Sequence, residues 1–234
     1  APNLSDLTRL DTARSGELET PSPGLEPETY LSWEAGVKFQ GERFAAEAAY
    51  FNTDGTDVII RTPTGQAIAG LREVTKTNAA DSNVNGIEWR FSYQVMEPLS
   101  LYTDGMWIDG WQESFPSATT TDTVREPIDL LTPAMWRFGA RWAAVSPRLQ
   151  VDLMVEHVSE QDKLSARDIA DTQRIPPGGT PGYTTLNLRS EWRVRNGLVL
   201  SLALDNLTDE EYRVHGSGVN EPGRNLIASL SLAL

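Results

Sequence analysis

The sequence predicts an all-β protein, an antiparallel transmembrane β-barrel, on three observations. Five stretches alternate apolar and polar residues almost without error, aromatic residues gather near the ends of those stretches, and the connections alternate short and long. A period of two means a strand with two unlike faces. From Val84 to Val95, Ile87, Trp89, Phe91, Tyr93 and Val95 point one way; Gly86, Glu88, Arg90, Ser92 and Gln94 point the other. A soluble sandwich also alternates, so strand length, aromatic placement and connection rhythm carry the choice.

Composition narrows the classes. The 234 residues suffice for one large or two small domains. With 20 Lys+Arg against 33 Asp+Glu, the net charge is -13. No nucleic acid is expected as a partner, because that requires a basic face; nor does the balance support docking on anionic lipid headgroups. Without cysteine there is no disulfide frame and no thiolate metal site. No apolar run approaches the roughly 20 residues of a membrane helix, which leaves a barrel open. A hydrophobic share of 39% is ordinary for a barrel with a wet interior. The chain begins at Ala1 without Met or signal peptide and is expected to be a processed product or a fragment.

Residues 1–29, with Pro2, Pro21, Pro23 and Pro27, predict a long irregular loop or cleaved linker. A first strand runs from Tyr30 to Gln40, with Leu31, Trp33, Ala35, Val37 and Phe39 opposite Ser32, Glu34, Gly36, Lys38 and Gln40. Gly41-Glu42 turns it into a second strand, Arg43 to about Thr53, with a possible resumption at Asp57 to Arg61. A loop rich in Thr, Gly, Ala and Asn is expected from there to about Asn83. The third strand turns at Met96-Glu97-Pro98 into a fourth, Leu99 to about Trp111. After a polar loop ending at Pro133, the fifth runs from Ala134 to Ala144, turns at Val145–Arg148, and leads into the sixth, Leu149 to Val158. A loop with Pro176-Pro177-Gly178-Gly179 precedes the seventh, Tyr183 to Val194. Arg195-Asn196-Gly197 is a hairpin signal. The eighth strand is Leu198 to Asn206, and the ninth, Arg224 to Leu234, ends the chain.

Odd strands therefore end in turns of about two to four residues and even strands in loops of about 15 to 30, the asymmetry of outer-membrane barrels with short periplasmic turns and long extracellular loops. Odd strands then run toward the periplasm. Trp33 and Trp136 open the first and fifth strands, and Phe39, Tyr93, Trp142 and Trp192 lie toward the ends of the first, third, fifth and seventh; Trp107 and Trp111 close the top of the upward fourth strand. Two aromatic girdles result. A sandwich core would instead cluster its aromatics mid-strand.

Particular segments resemble a known family. Pro27-Glu28-Thr29-Tyr30 with Trp33-Glu34-Ala35-Gly36-Val37-Lys38, Leu204-Asp205-Asn206-Leu207-Thr208-Asp209-Glu210-Glu211-Tyr212, and Asn220-Glu221-Pro222-Gly223-Arg224-Asn225 are similar, in order and spacing, to motifs of TonB-dependent outer-membrane receptors. The resemblance covers about residues 27–234 and departs from the family only in ending on Leu234 instead of an aromatic residue. It implies a barrel of about 22 strands around an N-terminal plug, of which residues 30–234 would be about nine C-terminal strands and the plug would lie outside this chain. Nine strands cannot close alone, since bacterial barrels have even numbers and an open edge in lipid leaves backbone groups unsatisfied.

No catalytic constellation stands out, and no enzyme activity, metal site or cofactor is expected. His157, His215 and Arg137 are candidates for ligand contact at the extracellular mouth, because His binds iron and haem and Arg binds anionic chelates. Solvated loop histidines are the commoner reading. Glu34, Lys38, Glu88, Arg90, Arg141, Arg189, Glu191 and Arg193 should line the lumen, as cross-strand ion pairs and plug contacts.

The resemblance implies active import of a bulky scarce nutrient of the ferric-siderophore, haem or cobalamin class through the outer membrane of a Gram-negative-type bacterium. Its partners would be the remaining barrel strands and plug, the TonB complex, outer-membrane lipid and a small-molecule metal chelate. The alternatives are a small self-contained barrel acting as passive pore or adhesin, and a soluble surface-binding β-domain. The pore needs a tenth strand within residues 1–29, which the four prolines disfavour.

Overall fold

Alternating polar and apolar residues build, in the computed structural model, one continuous sheet of 12 strands. The structure describes residues 2–14, 16–143 and 148–233. Three strands are short: β1 (Asp11–Arg14), β2 (Glu17–Glu19) and β7 (Val124–Pro127). The rest form a wall in chain order: β3 (Thr29–Gln40), β4 (Phe44–Ile68), β5 (Leu71–Met96), β6 (Leu99–Ser114), β8 (Met135–Ala143), β9 (Leu149–Val158), β10 (Tyr183–Arg195), β11 (Leu198–Asp205) and β12 (Asn225–Leu232). Every neighbouring pair in this wall is antiparallel. These are the nine strands expected from the alternation. Of the expected turn at Val145–Arg148 only Arg148 is among the described residues, and Ala144 and Leu234 lie outside them.

The turns have identifiable causes. Gly41 donates its N–H to the Phe44 carbonyl at 2.8 Å, closing β3 onto β4. Gln94 Nε2 donates to the carbonyls of Met96, Glu97 and Leu99 at 2.6, 3.2 and 3.1 Å, tying the turn before β6. At Asn196-Gly197 only Gly197 takes a positive φ, 79°, and the register shifts between Arg193 and Arg195. That is a hairpin closed through a glycine bulge.

The expected loop between Arg61 and Asn83 is instead strand. β4 and β5 continue as one hairpin, 25 and 26 residues long, reversing at Ala69-Gly70, both at positive φ (51° and 83°). Threonines supply the β-branched filling: Thr62 and Thr77 share a hydrogen bond of 2.6 Å across the pair. The break anticipated near Asp57 is real, a register shift between Gly55 and Val58 with Asp57 at φ 55°.

The described part of residues 1–29 is also more ordered than its prolines suggest. A capping box between Asn3 and Asp6 starts helix α1 (Leu4–Thr8), and β2 adds in parallel to the outer part of β5. That strip shields the edge β5 exposes beyond the end of β6. Neither β1 nor β2 is long enough to span a membrane.

One face of the wall is apolar and exposed in the isolated chain: Leu31 is 68%, Val37 74% and Leu230 68% exposed. The aromatics sit on this face in two levels. Trp33 packs on Tyr50 at 5.3 Å between ring centres near the long-loop end, with Trp107 and Trp136 at a similar level. Phe39 packs on Phe44 at 5.9 Å near the turn end, with Tyr93, Trp142 and Trp192. The buried apolar side chains, by contrast, lie at the loop end: Val74, Ala80, Leu131, Val158, Ile175 and Tyr183.

Candidate functional site

The charged face of the wall is organised in rows set by strand register. Opposite one another, strand by strand, stand Lys38, Glu47, Arg90, Asp104, Arg137 and Glu156. Lys38 Nζ lies 3.3 Å from Glu47 Oε2, and Arg137 Nη2 2.6 Å from Asp104 Oδ2. Nearer the turn end a second row reads Arg141, Asp152, Arg189. Arg141 donates through Nε to Asp152 Oδ2 at 2.9 Å, while the Tyr102 hydroxyl donates to Asp152 Oδ1 at 2.6 Å. The Arg141 guanidinium stands 5.3 Å from the centre of the Tyr102 ring. Tyr102 lies over Gly139, which leaves no room for a Cβ there. Arg189 reaches Asp205 at 3.7 Å, and Glu191 meets Arg193 at 3.3 Å. Opposite-sign cross-strand pairs favour the register in which they meet.

The residues expected on the charged face all stand there by register: Glu34 beside Phe51, Glu88 beside Met106, and Lys38, Arg90, Arg141, Arg189, Glu191 and Arg193 in the rows just described. Arg137 joins them with its guanidinium engaged by Asp104. His157 does not. It faces Trp136 and Thr184 in register, on the apolar face, with its ring 4.4 Å from that of Trp136 and Nδ1 2.7 Å from Thr184 Oγ1. The expectation that His157 points at incoming ligand is corrected by strand parity: Val151, Leu153 and Val155 are apolar-facing, and an odd-numbered neighbour must join them. Tyr102, Asp104 and Asp152 complete the charged rows and were not singled out from the sequence; the same parity would have found them.

At the loop end three connections lock together. Helix α2 (Ala166–Ala170) starts at a Ser165–Asp168 capping box, and its buried Asp168 accepts the Leu130 N–H at 3.1 Å. Asp129 accepts from Ser165 Oγ at 2.7 Å and from Arg167 at 3.1 Å, and Glu126 accepts the Ala166 N–H at 2.7 Å. His215 joins the third connection to the second through Thr180 Oγ1, 2.9 Å from Nδ1. Its Nε2 is buried without a hydrogen-bond partner. Burial holds this imidazole below its ordinary value, with Asp168 pulling the other way. Among the described residues no three His, Asp or Glu side chains converge where a metal ion could sit.

A wall with one greasy and one charged face, girdled by aromatics, is a segment of a membrane-spanning β-barrel. The family model for the TonB dependent receptor-like beta-barrel matches residues 1–207, and the chain belongs to that family. It is similar to Heme/hemopexin utilization protein C of Haemophilus influenzae strain 86-028NP, 27% identical in an alignment of 219 positions that covers 87% of this chain. The Pesticin receptor of Yersinia pestis is 24% identical over 226 residues. The chain spans 28% of the length of each of these curated relatives. Among solved structures, the copper transporter OprC superposes with a TM-score of 0.72 at 17% identity, over 99% of this chain and 35% of that one. A mutant of the ferric enterobactin receptor (PfeA) from Pseudomonas aeruginosa gives 0.70 at 18% identity, over 99% and 36%. Outer-membrane barrels in general carry an outward apolar band and a polar interior.

Proposed function

We propose that this chain is part of the barrel wall of an outer-membrane receptor that actively imports a bulky, scarce nutrient of the ferric-siderophore, haem or cobalamin class. The observation that carries the reading is a nine-strand antiparallel wall with a free edge on each side, at β3 and β12, and a lumen face crossed by ion pairs. Backbone groups at such edges need partners in lipid. Further barrel strands supply them, and a plug fills the lumen. Residues 30–234 belong to the wall, and residues 1–29 form the extracellular segment folded on the β4–β5 hairpin. The TonB complex supplies the energy, and the ligand is moved without chemical change. His215 and Arg137, at the loop end, are the positions closest to where a chelate arrives.

Uptake of labelled haem, ferric siderophore and cobalamin by cells expressing the whole receptor, with and without a working TonB complex, tests this. One of the three should accumulate only when both are present. Uptake that survives loss of TonB would leave a passive pore. In parallel, the native polypeptide carrying the C-terminal peptide should weigh several times the 25.8 kDa of this chain.

A further inference from the structure

The charged row on the lumen face alternates in sign without a break: Lys38, Glu47, Arg90, Asp104, Arg137, Glu156, one from each of β3, β4, β5, β6, β8 and β9. Toward β10 it ends on a neutral residue, Thr185. At the other end it stops on a cation, at the free edge of β3. The Lys38 side chain is 76% exposed there, with Glu47 as its one ion-pair partner among the described residues. The backbone of β3 along that edge offers unpaired donors and acceptors to an incoming strand.

We infer that the strand closing onto β3 is antiparallel and carries an Asp or Glu directly opposite Lys38, so that the belt of alternating charge crosses the seam of the barrel. This rests on the proposed completion of the wall by further strands, and adds the chemistry of the joint. A cation opposite Lys38 would oppose the pairing, and a slip of one residue would turn the whole incoming strand inside out. Hydrogen bonds of the ladder are the same in every register. The side-chain charge therefore marks the correct one. The other free edge carries no such mark: on β12 the lumen face shows Asn225, Ile227, Ser229 and Ser231, none of them charged. The two edges are chemically distinct, and a strand that matches one does not match the other.

Zero-length coupling of amines to carboxylates with a water-soluble carbodiimide reads this directly, because it joins only groups already in contact. Each link forms an amide with net loss of one water, taken up by the carbodiimide as it becomes a urea. The whole receptor would be treated in detergent, unmodified and as Glu47→Gln, which removes the neighbour within this chain. Peptide mapping should find Lys38 joined to an Asp or Glu in an alternating strand outside residues 1–234, with the yield rising at least about twofold in Glu47→Gln. Lys163, 2.8 Å from Asp109, is the internal control for reagent access. The inference is overturned if Lys163 couples while Lys38 couples only to Glu47, or couples to a lumen-filling segment instead of a barrel strand. If Glu47→Gln does not fold, the mapping of the unmodified receptor decides alone. A native polypeptide no larger than this chain would sink the receptor reading by mass, a result separate from the coupling pattern.

Discussion

Arg137 holds Asp104 through two nitrogens on a single oxygen, Nε at 2.9 Å and Nη2 at 2.6 Å from Oδ2. The pair ties β8 to β6 on the charged face. Its side chains are 39% and 20% exposed, so water weakens it. Arg137→Ala should cost about 1 kcal/mol, as should Asp104→Asn, with a coupling between them of similar size in a double-mutant cycle. Urea unfolding of the whole receptor in lipid gives the numbers. A drop in ligand affinity for Arg137→Ala at unchanged stability would instead make this arginine a ligand contact.

Tyr102 and Gly139 are matched by shape. The ring occupies the space a side chain at 139 would take, and its hydroxyl donates to Asp152 at 2.6 Å. Gly139→Val should cost about 1–3 kcal/mol through this overpacking. Tyr102→Phe keeps the ring and loses only the hydrogen bond, for about 1 kcal/mol. If Gly139→Val unfolds at the same denaturant concentration as the unmodified receptor, the ring and glycine do not pack as described.

His215 should make the connections at the loop end sensitive to acid. Its value in the folded chain is depressed by burial, so the unfolded chain takes up the proton first as pH falls. The stabilisation is complete above the unfolded value near 6.5 and is lost as pH falls through the folded value. Amide protection at the Gln161–Thr180 bridge should therefore weaken as pH falls below about 6.5, after correction for intrinsic exchange. His215→Gln should flatten that dependence; an equal decline in both proteins would remove His215 as its source.

Two cations clamp the N-terminal segment to the long hairpin. Arg61 reaches Glu17 at 2.9 Å and Glu19 at 3.3 Å, and Lys76 reaches Asp6 at 2.5 Å. Glu19 is only 3% exposed. Lys76 also holds the Asp6 carboxyl below the usual carboxylate range. Arg61→Ala strands Glu17 and leaves buried Glu19 only the longer contact to Lys76, at 3.6 Å, and should cost about 3 kcal/mol locally. Trypsin should then cut after Arg9 markedly faster than in the unmodified receptor. Unchanged cleavage would show that the clamp does not hold this segment.

The wall was legible because lipid and lumen impose opposite demands on successive residues. Trp33, Val37, Ile87 and Phe91 carry that signal in their parity alone. Beyond the girdle both faces of the hairpin meet water, so the alternation fades. Thr62, Thr64, Thr75 and Thr77 then read as loop, and Ala69 is not a residue that advertises a turn at positive φ. The helices at Leu4 and Ala166 are marked in the sequence by their capping boxes, Asn3 with Asp6 and Ser165 with Asp168, but each is one short turn set among prolines and polar residues, where no apolar periodicity supports it. His157 shows the same parity at work: it stands near the end of its strand, but its place in the alternation puts it on the apolar face. The contacts made by His215 are long-range, to Thr180 and the neighbourhood of Asp168, and no local pattern announces them.

The side chains this protein hides most completely, Ile175 and Val74 among them, belong to the portion that stands in water. The portion in the bilayer hides little of itself and leans on lipid. One chain thus draws its cohesion from two solvents. Heating should reveal them separately: the loops carry a hydrophobic heat-capacity change and should melt as a small aqueous protein does, while the wall beneath them keeps its ladder of hydrogen bonds.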